Sequence, residues 1–169
     1  MRQIKINSSL GNEIITLADV KSYVRIDSTE DDAIITNMIE QARIWCENYI
    51  SRDIVPKSRT YFLGDTSGLF DLPFAPIAEV QSVTVEGEAA TFTEYGLDDL
   101  SIELDGGPSS NVKVTYTTSG LNDGLIKQAL LQMVSNYYDN RADFVTGTIV
   151  SDIPTNVKSI LSGYKTMFI

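Results

Sequence analysis

Four carboxylates, Asp98, Asp99, Glu103 and Asp105, crowd one short stretch of the sequence. Acids this close could act as a general acid and base pair, or hold a magnesium ion that activates water for hydrolysis. An acidic hairpin surface explains them equally well and is the reading we favour. Asp27, Glu30, Asp31 and Asp32 form a second group able to offer oxygens to a hard cation. They stand at the start of a helical pattern, where acids complement the helix dipole, and lack the glycine-centred spacing of an EF-hand loop. The run Gly64-Asp65-Thr66-Ser67-Gly68 has the glycines of a phosphate loop, but neither its Lys nor a helix after it, so a turn is expected. Histidine is absent, which excludes a Ser-His-Asp triad, a Cys-His pair, a histidine base and His-ligated zinc within the chain. Cys46 is the single cysteine. It sits on an apolar stripe beside Trp45, where a thiol behaves as a small hydrophobe rather than a nucleophile. No cofactor or metal is expected.

The elements that would position these residues follow from periodicity. Ile4 and Ile6 alternate with polar neighbours, as in a short half-buried strand. Thr16 can cap a helix from Leu17 to about Ile26, with Leu17, Val20, Tyr23 and Val24 on one face. Ser28 and Asp31 have capping-box spacing and introduce a helix from Thr29 to about Ile50. Its apolar stripe is Ile35, Met38, Ile39, Ala42, Trp45, Cys46 and Tyr49, with Glu40, Gln41, Arg43, Glu47 and Asn48 off it. After Pro56 the pattern changes to short β-rich pieces at Ser58–Leu63, Val80–Val85, Thr91–Tyr95, Ser101–Leu104 and Val112–Thr117. Asn122 or Asp123 can cap a third helix bearing Leu125, Ile126, Ala129, Leu130, Met133, Val134, Tyr137 and Tyr138. A last helix can begin at Pro154 and bury Val157, Ile160, Leu161 and Tyr164. The expected fold class is α+β: two N-terminal and two C-terminal helices packed as a bundle, with a small antiparallel β insertion between them.

At 169 residues, 43% apolar and 21% charged, the chain has the size and composition of one globular domain. We divide it into a helical part with an N-terminal strand (1–52), the β insertion (53–121) and the C-terminal helices with their tail (122–169). The formal charge is −10, which opposes nonspecific attraction to nucleic acid or anionic lipid. Residues 53–121 hold eleven acids and three bases, a surplus of eight negative charges. No run approaches a membrane span, and the first residues lack the apolar core of a signal peptide, so a soluble protein of a reducing cytoplasm is expected. Tyr137, Tyr138, Tyr164 and Phe168 have no interleaved basic patch and suit packing better than base stacking. Beyond the last helix, Met167, Phe168 and Ile169 have no evident partner within the chain, which points to docking on another subunit or protein.

The order of motifs resembles the gp6-like head-tail connector (portal adaptor) family of tailed bacteriophages. The opening Ile15-Thr16-Leu17-Ala18-Asp19-Val20-Lys21, then Val24-Arg25-Ile26-Asp27, Glu30-Asp31-Asp32-Ala33-Ile34-Ile35 and Ile39-Glu40-Gln41-Ala42-Arg43, carries the likeness. It continues through Trp45-Cys46-Glu47-Asn48-Tyr49, Leu72-Pro73 with Pro76-Ile77, Val80-Gln81-Ser82-Val83, and Val114-Thr115-Tyr116-Thr117 with Gly120. It ends with Ala129-Leu130-Leu131, Tyr137-Tyr138-Asp139-Asn140-Arg141, and Ile153-Pro154 to Ile160-Leu161 with Tyr164-Lys165. Lys165 stands where Arg would be expected, and the aromatic after Gly120 is missing.

The resemblance implies a structural virion protein rather than an enzyme, made in the host cytoplasm and placed in the neck. About twelve copies would form a ring beneath the portal protein, extend the DNA channel and receive a head-closure or tail protein, with DNA passing through without sequence-specific binding. Tyr164, Lys165, Thr166, Met167, Phe168 and Ile169 are the expected portal-binding residues. Glu86, Glu88, Asp98 and Asp99 are the expected acidic surface of the channel or outer rim. Alternatives are another neck or tail-completion protein, or a magnesium-dependent hydrolase using Asp98, Asp99, Glu103 or Asp105.

Overall fold

The computed structural model describes residues 1–140 and 155–165, and these form two compact units. The first takes residues 1–12 and 51–121; the second takes residues 13–50 and the described residues from Asn122 onward. Strands β1 Arg2–Ser9, β2 Lys57–Thr66, β3 Leu69–Asp71, β4 Ile77–Val85, β5 Glu88–Ala89, β6 Phe92–Gly96, β7 Leu100–Leu104 and β8 Ser109–Thr118 belong to the first unit. Helices α1 Leu17–Val24, α2 Asp32–Ile50, α3 Gly124–Asp139 and α4 Thr155–Ser162 belong to the second.

The first unit has one antiparallel sheet in the order β1-β2-β8-β4-β5 and another in the order β3-β7-β6. Period-two alternation gives each an apolar face, and these faces make one core. Tyr61, Leu63, Val112, Val114, Tyr116 and Val83 of the larger sheet meet Phe70, Ile102 and Leu104 of the smaller. The buried Tyr116 ring keeps its hydroxyl satisfied by donating to the Pro73 carbonyl at 2.7 Å. Register puts Ile4 opposite Tyr61 on that same face, yet every residue of β1 is exposed, including Ile4 at 37% and Ile6 at 50%. The expected half-burial of this strand fails because the three-stranded sheet covers the inner strands and leaves the edge uncovered. The expected turn at Gly64–Gly68 is also shorter: Gly64, Asp65 and Thr66 continue β2, and only Ser67 and Gly68 turn the chain. At Gly68, φ is +102°, and a Cβ would lie 2.7 Å from the Gly107 carbonyl carbon, so glycine is required there.

In the second unit, Thr16 and Asp19 form a reciprocal capping box at α1, and Asp123 caps α3 through the Leu125 amide. Helix α3 packs against α1, α2 and α4, burying Ile126, Ala129, Leu130, Met133 and Val134. Helix α4 buries Val157 and Leu161; Pro154, the expected start, lies outside the described residues. Helix α2 begins at Asp32 rather than Thr29 and buries Arg43 and Glu47 as well as Ile35, Ile39, Ala42, Cys46 and Ile50. Trp45 is only half-buried and stacks on Tyr49, with centroids 5.1 Å apart.

These observations correct the expected fold class. The strands are not one small insertion but two antiparallel sheets, and the larger begins with the N-terminal β1. Residues 13–50 interrupt the larger sheet, between β1 and β2, and β2 to β8 in turn separate α1 and α2 from α3 and α4. Nor do two N-terminal and two C-terminal helices form a bundle. At 19 residues α2 spans about 28 Å, whereas α1 and α4, at 8 residues each, span about 12 Å and cannot run alongside it for its length. No described helix is long and apolar enough to cross a membrane.

Candidate functional site

Strand geometry disperses the clustered carboxylates. Asp98 and Asp99 lie in the β6–β7 turn and Asp105 just beyond β7, so the strand's full length, about 20 Å at 3.3 Å per residue, separates the ends of the group. Asp99 Oδ2 accepts from the Arg52 guanidinium at 2.9 Å. Glu103 hydrogen-bonds the Tyr95 side chain and thereby holds that phenol's pKa up. In the second unit, Asp32 Oδ1 accepts from Lys21 Nζ at 2.7 Å, and Asp31 Oδ2 accepts from the Tyr138 hydroxyl at 2.6 Å. Those oxygens face separate partners rather than one cation. Among the described residues no group of three Cys, Asp or Glu side chains could hold a metal ion. Burial pushes the Cys46 thiol up to about 12, so at neutral pH it carries no thiolate to attack with.

The four residues expected to form one acidic surface fall into two pairs. Glu86 and Glu88 flank the β4–β5 turn. Asp98 lies at the opposite end of β4, where its carbonyl accepts from the Ile77 amide at 2.8 Å. Nine residues of β4 place about 25 to 30 Å between the pairs. Beside Asp98, Leu97 is 91% exposed at the tip of its turn.

Of the expected portal-binding residues, Thr166, Met167, Phe168 and Ile169 lie outside the described residues. The preceding two are anchored within the helical unit. The Tyr164 hydroxyl donates to Asp123 Oδ1 at 2.6 Å, a bond that holds the Asp123 carboxyl below its usual range. Lys165 Nζ lies 4.9 Å from the centroid of the Tyr49 ring. Tyr164 and Lys165 therefore lie at the α3 N-cap and the aromatic pair of α2.

Sequence reasoning missed the β1 edge. Arg2, Ile4, Lys5 and Ile6 are displayed on an open strand, and a groove of about 590 Å³ lined by Ile4, Tyr61, Leu69 and Phe70 adjoins it. Also unforeseen is a fully buried ionic cluster. Asp53 accepts from Arg59 Nε at 2.7 Å, Lys57 Nζ at 2.9 Å and the Thr118 hydroxyl at 2.9 Å, while Arg59 lies 3.8 Å from the Phe74 ring centroid. Burial alone would raise the Asp53 carboxyl, but hydrogen bonds and charge from Arg59 and Lys57 outweigh it and hold the pKa low. This cluster ties the segment before β2 to the end of β8. Lys four residues after Asp53, followed by Arg59, was its only trace in the sequence.

A family model described as head completion protein matches residues 13–167. Among solved structures, a chain in the virion of a native gene transfer agent (GTA) particle has a TM-score of 0.77 at 17% identity, with 99% of this chain and 97% of that one covered. A chain from the neck of the native GTA particle computed with C12 symmetry scores 0.76 at 15% identity, with the same coverage. One from the neck of the empty GTA particle computed with C6 symmetry scores 0.71 at 17% identity, again covering 99% and 97%. No curated protein sequence matches. At such identities the structural likenesses speak for the fold.

Proposed function

We propose that this chain, which belongs to the head completion protein family, is a non-enzymatic structural protein of the virion neck, forming a ring beneath the portal that extends the DNA channel and receives the next neck or tail protein. The family match over residues 13–167 is the observation that carries this reading. The C6 and C12 symmetries of the similar necks support a ring, and twelve copies fit both. The two units offer separate surfaces for different partners, which a head-to-tail ring requires. Asp98 and Asp99, exposed beside Leu97, suit a channel or rim along which DNA slides, because acids do not hold phosphates.

The C-terminal residues Tyr164, Lys165, Thr166, Met167, Phe168 and Ile169 are the portal-binding segment in this account. Tyr164 and Lys165 fix its root, and the apolar residues beyond would each gain about 1.5 to 3 kcal/mol from a buried site. Repetition around a ring turns weak single contacts into firm attachment. Deleting residues 165–169 should leave the melting temperature nearly unchanged, since the described ties lost are the Lys165 contact with Tyr49, worth about 0.5 to 1 kcal/mol, and a long bond of 3.4 Å from the Lys165 amide to the Ser162 carbonyl. It should abolish cosedimentation with portal-bearing heads. Unfolding of the truncated protein would make the tail part of its own core; undiminished attachment would place the portal contact elsewhere.

A further inference from the structure

We propose that neighbouring copies in the ring join through opposite edges of the five-stranded sheet, β1 of one copy against the β4–β5 edge of the next. The inference rests on the ring reading and supplies its subunit contact.

Sheet order places β1 and β5 at the two ends of the sheet. Both edges are open among the described residues. Strand β1 pairs only with β2, while β5 covers no more of β4 than Thr84 and Val85, leaving Glu79 to Ser82 without a strand outside them. An uncovered edge presents backbone donors and acceptors that another strand can satisfy. Ile4 and Ile6 on β1 would lose their water contact in the same step.

The charges identify the occupant. Residues 1–12 contain Arg2 and Lys5 and no acid, although Asp65 and Asp71 share the groove beside Arg2. The other edge carries Glu79, Glu86 and Glu88, all exposed, and the nearest base across the ladder is Lys113 on β8, opposite Thr84. Pairing β1 with a second β1 would bring Arg2 and Lys5 against their own kind, and pairing two acidic edges would do the same with glutamates. Joining unlike edges relieves both. Such a contact is heterologous, and a heterologous contact that closes generates a ring.

The test uses full-length protein added to heads that lack it, counting bound copies after sedimentation. Arg2→Glu with Lys5→Glu should lower occupancy at least about tenfold, as should Glu86→Lys with Glu88→Lys. The four-site variant that exchanges the two charge sets should return to within about twofold of wild type, as should an equal mixture of the two double variants. All four side chains are exposed, and melting temperatures confirm that each variant is folded. Wild-type occupancy in both double variants would overturn the proposal, and so would a folded four-site variant as defective as either. Wild-type protein that fails to bind heads would instead overturn the neck assignment, and this contact with it.

Discussion

Replacing Asp53 by Ala should destabilise the sheet-bearing unit by about 3 to 5 kcal/mol, the penalty for removing one partner from a buried ion cluster. Asp53 has no exposed surface, and Lys57 and Arg59 are 3% and 4% exposed, so solvent cannot take over the two cations left behind. Thr118 would also lose the nearer acceptor for its hydroxyl, keeping the Lys57 carbonyl at 3.5 Å, and it would still accept from the Lys57 amide at 3.0 Å. Urea unfolding at pH 7 measures the effect, and a loss below about 1 kcal/mol would show that the cluster is not the tie described. The pH dependence has a definite sign. The folded-state pKa of Asp53 is depressed, so its contribution is full above the unfolded value and is lost as pH falls through the folded one. Wild type should therefore lose stability below about pH 4, and the gap between wild type and Asp53→Ala should narrow there.

Arg43→Ala should be the most damaging comparable change in the helical unit. Arg43 Nε donates to both Glu13 carboxylate oxygens, at 2.8 and 2.9 Å, and its Nη1 donates to Glu47 Oε2 at 2.9 Å. The Glu47 side chain is 5% exposed and would lose its charge-assisted bond from Arg43, whereas that of Glu13, at 31%, can turn to water. We expect a loss toward the lower end of about 3 to 5 kcal/mol. Changing Arg43 and Glu47 together to Met should recover much of the loss, because well-packed apolar groups replace a buried pair at little cost. A loss below about 1 kcal/mol in urea unfolding would contradict this account.

The same residues show what the sequence could convey. The stripes of α2 and α3 were legible because Ile35, Ile39, Ala42, Ile126, Leu130 and Met133 recur at helical spacing. Arg43 and Glu47 stand off the apolar stripe in the sequence, and residue type alone does not reveal that Arg43 reaches Glu13, thirty residues earlier in the chain, as well as Glu47. Trp45 was read as core, yet it stands at the border of the stripe, where a large ring stacks without being covered. Strands β3 and β5, of 3 and 2 residues, are too short to show a period. Charge is distributed differently in the fold than along the chain. The window 53–121 carries eight surplus acids, but the folded unit also gathers Arg2, Lys5 and Arg52, which leaves each unit a net charge of −5. The four acids expected at the channel or rim lie at two ends of β4, so strand geometry rather than the charge of a segment decides which of them share a surface. The likeness to connectors survived these errors because it rested on the order of short motifs along the chain, which the family match over residues 13–167 bears out.

The most direct test of the neck assignment is to add purified protein to DNA-filled heads made without it and to image the particles before and after. The account predicts new density at the single portal-bearing vertex, closed into a ring about the channel axis and absent from the other vertices. Density scattered over the shell, or confined to the tail tip, or no density at saturating protein, would contradict it.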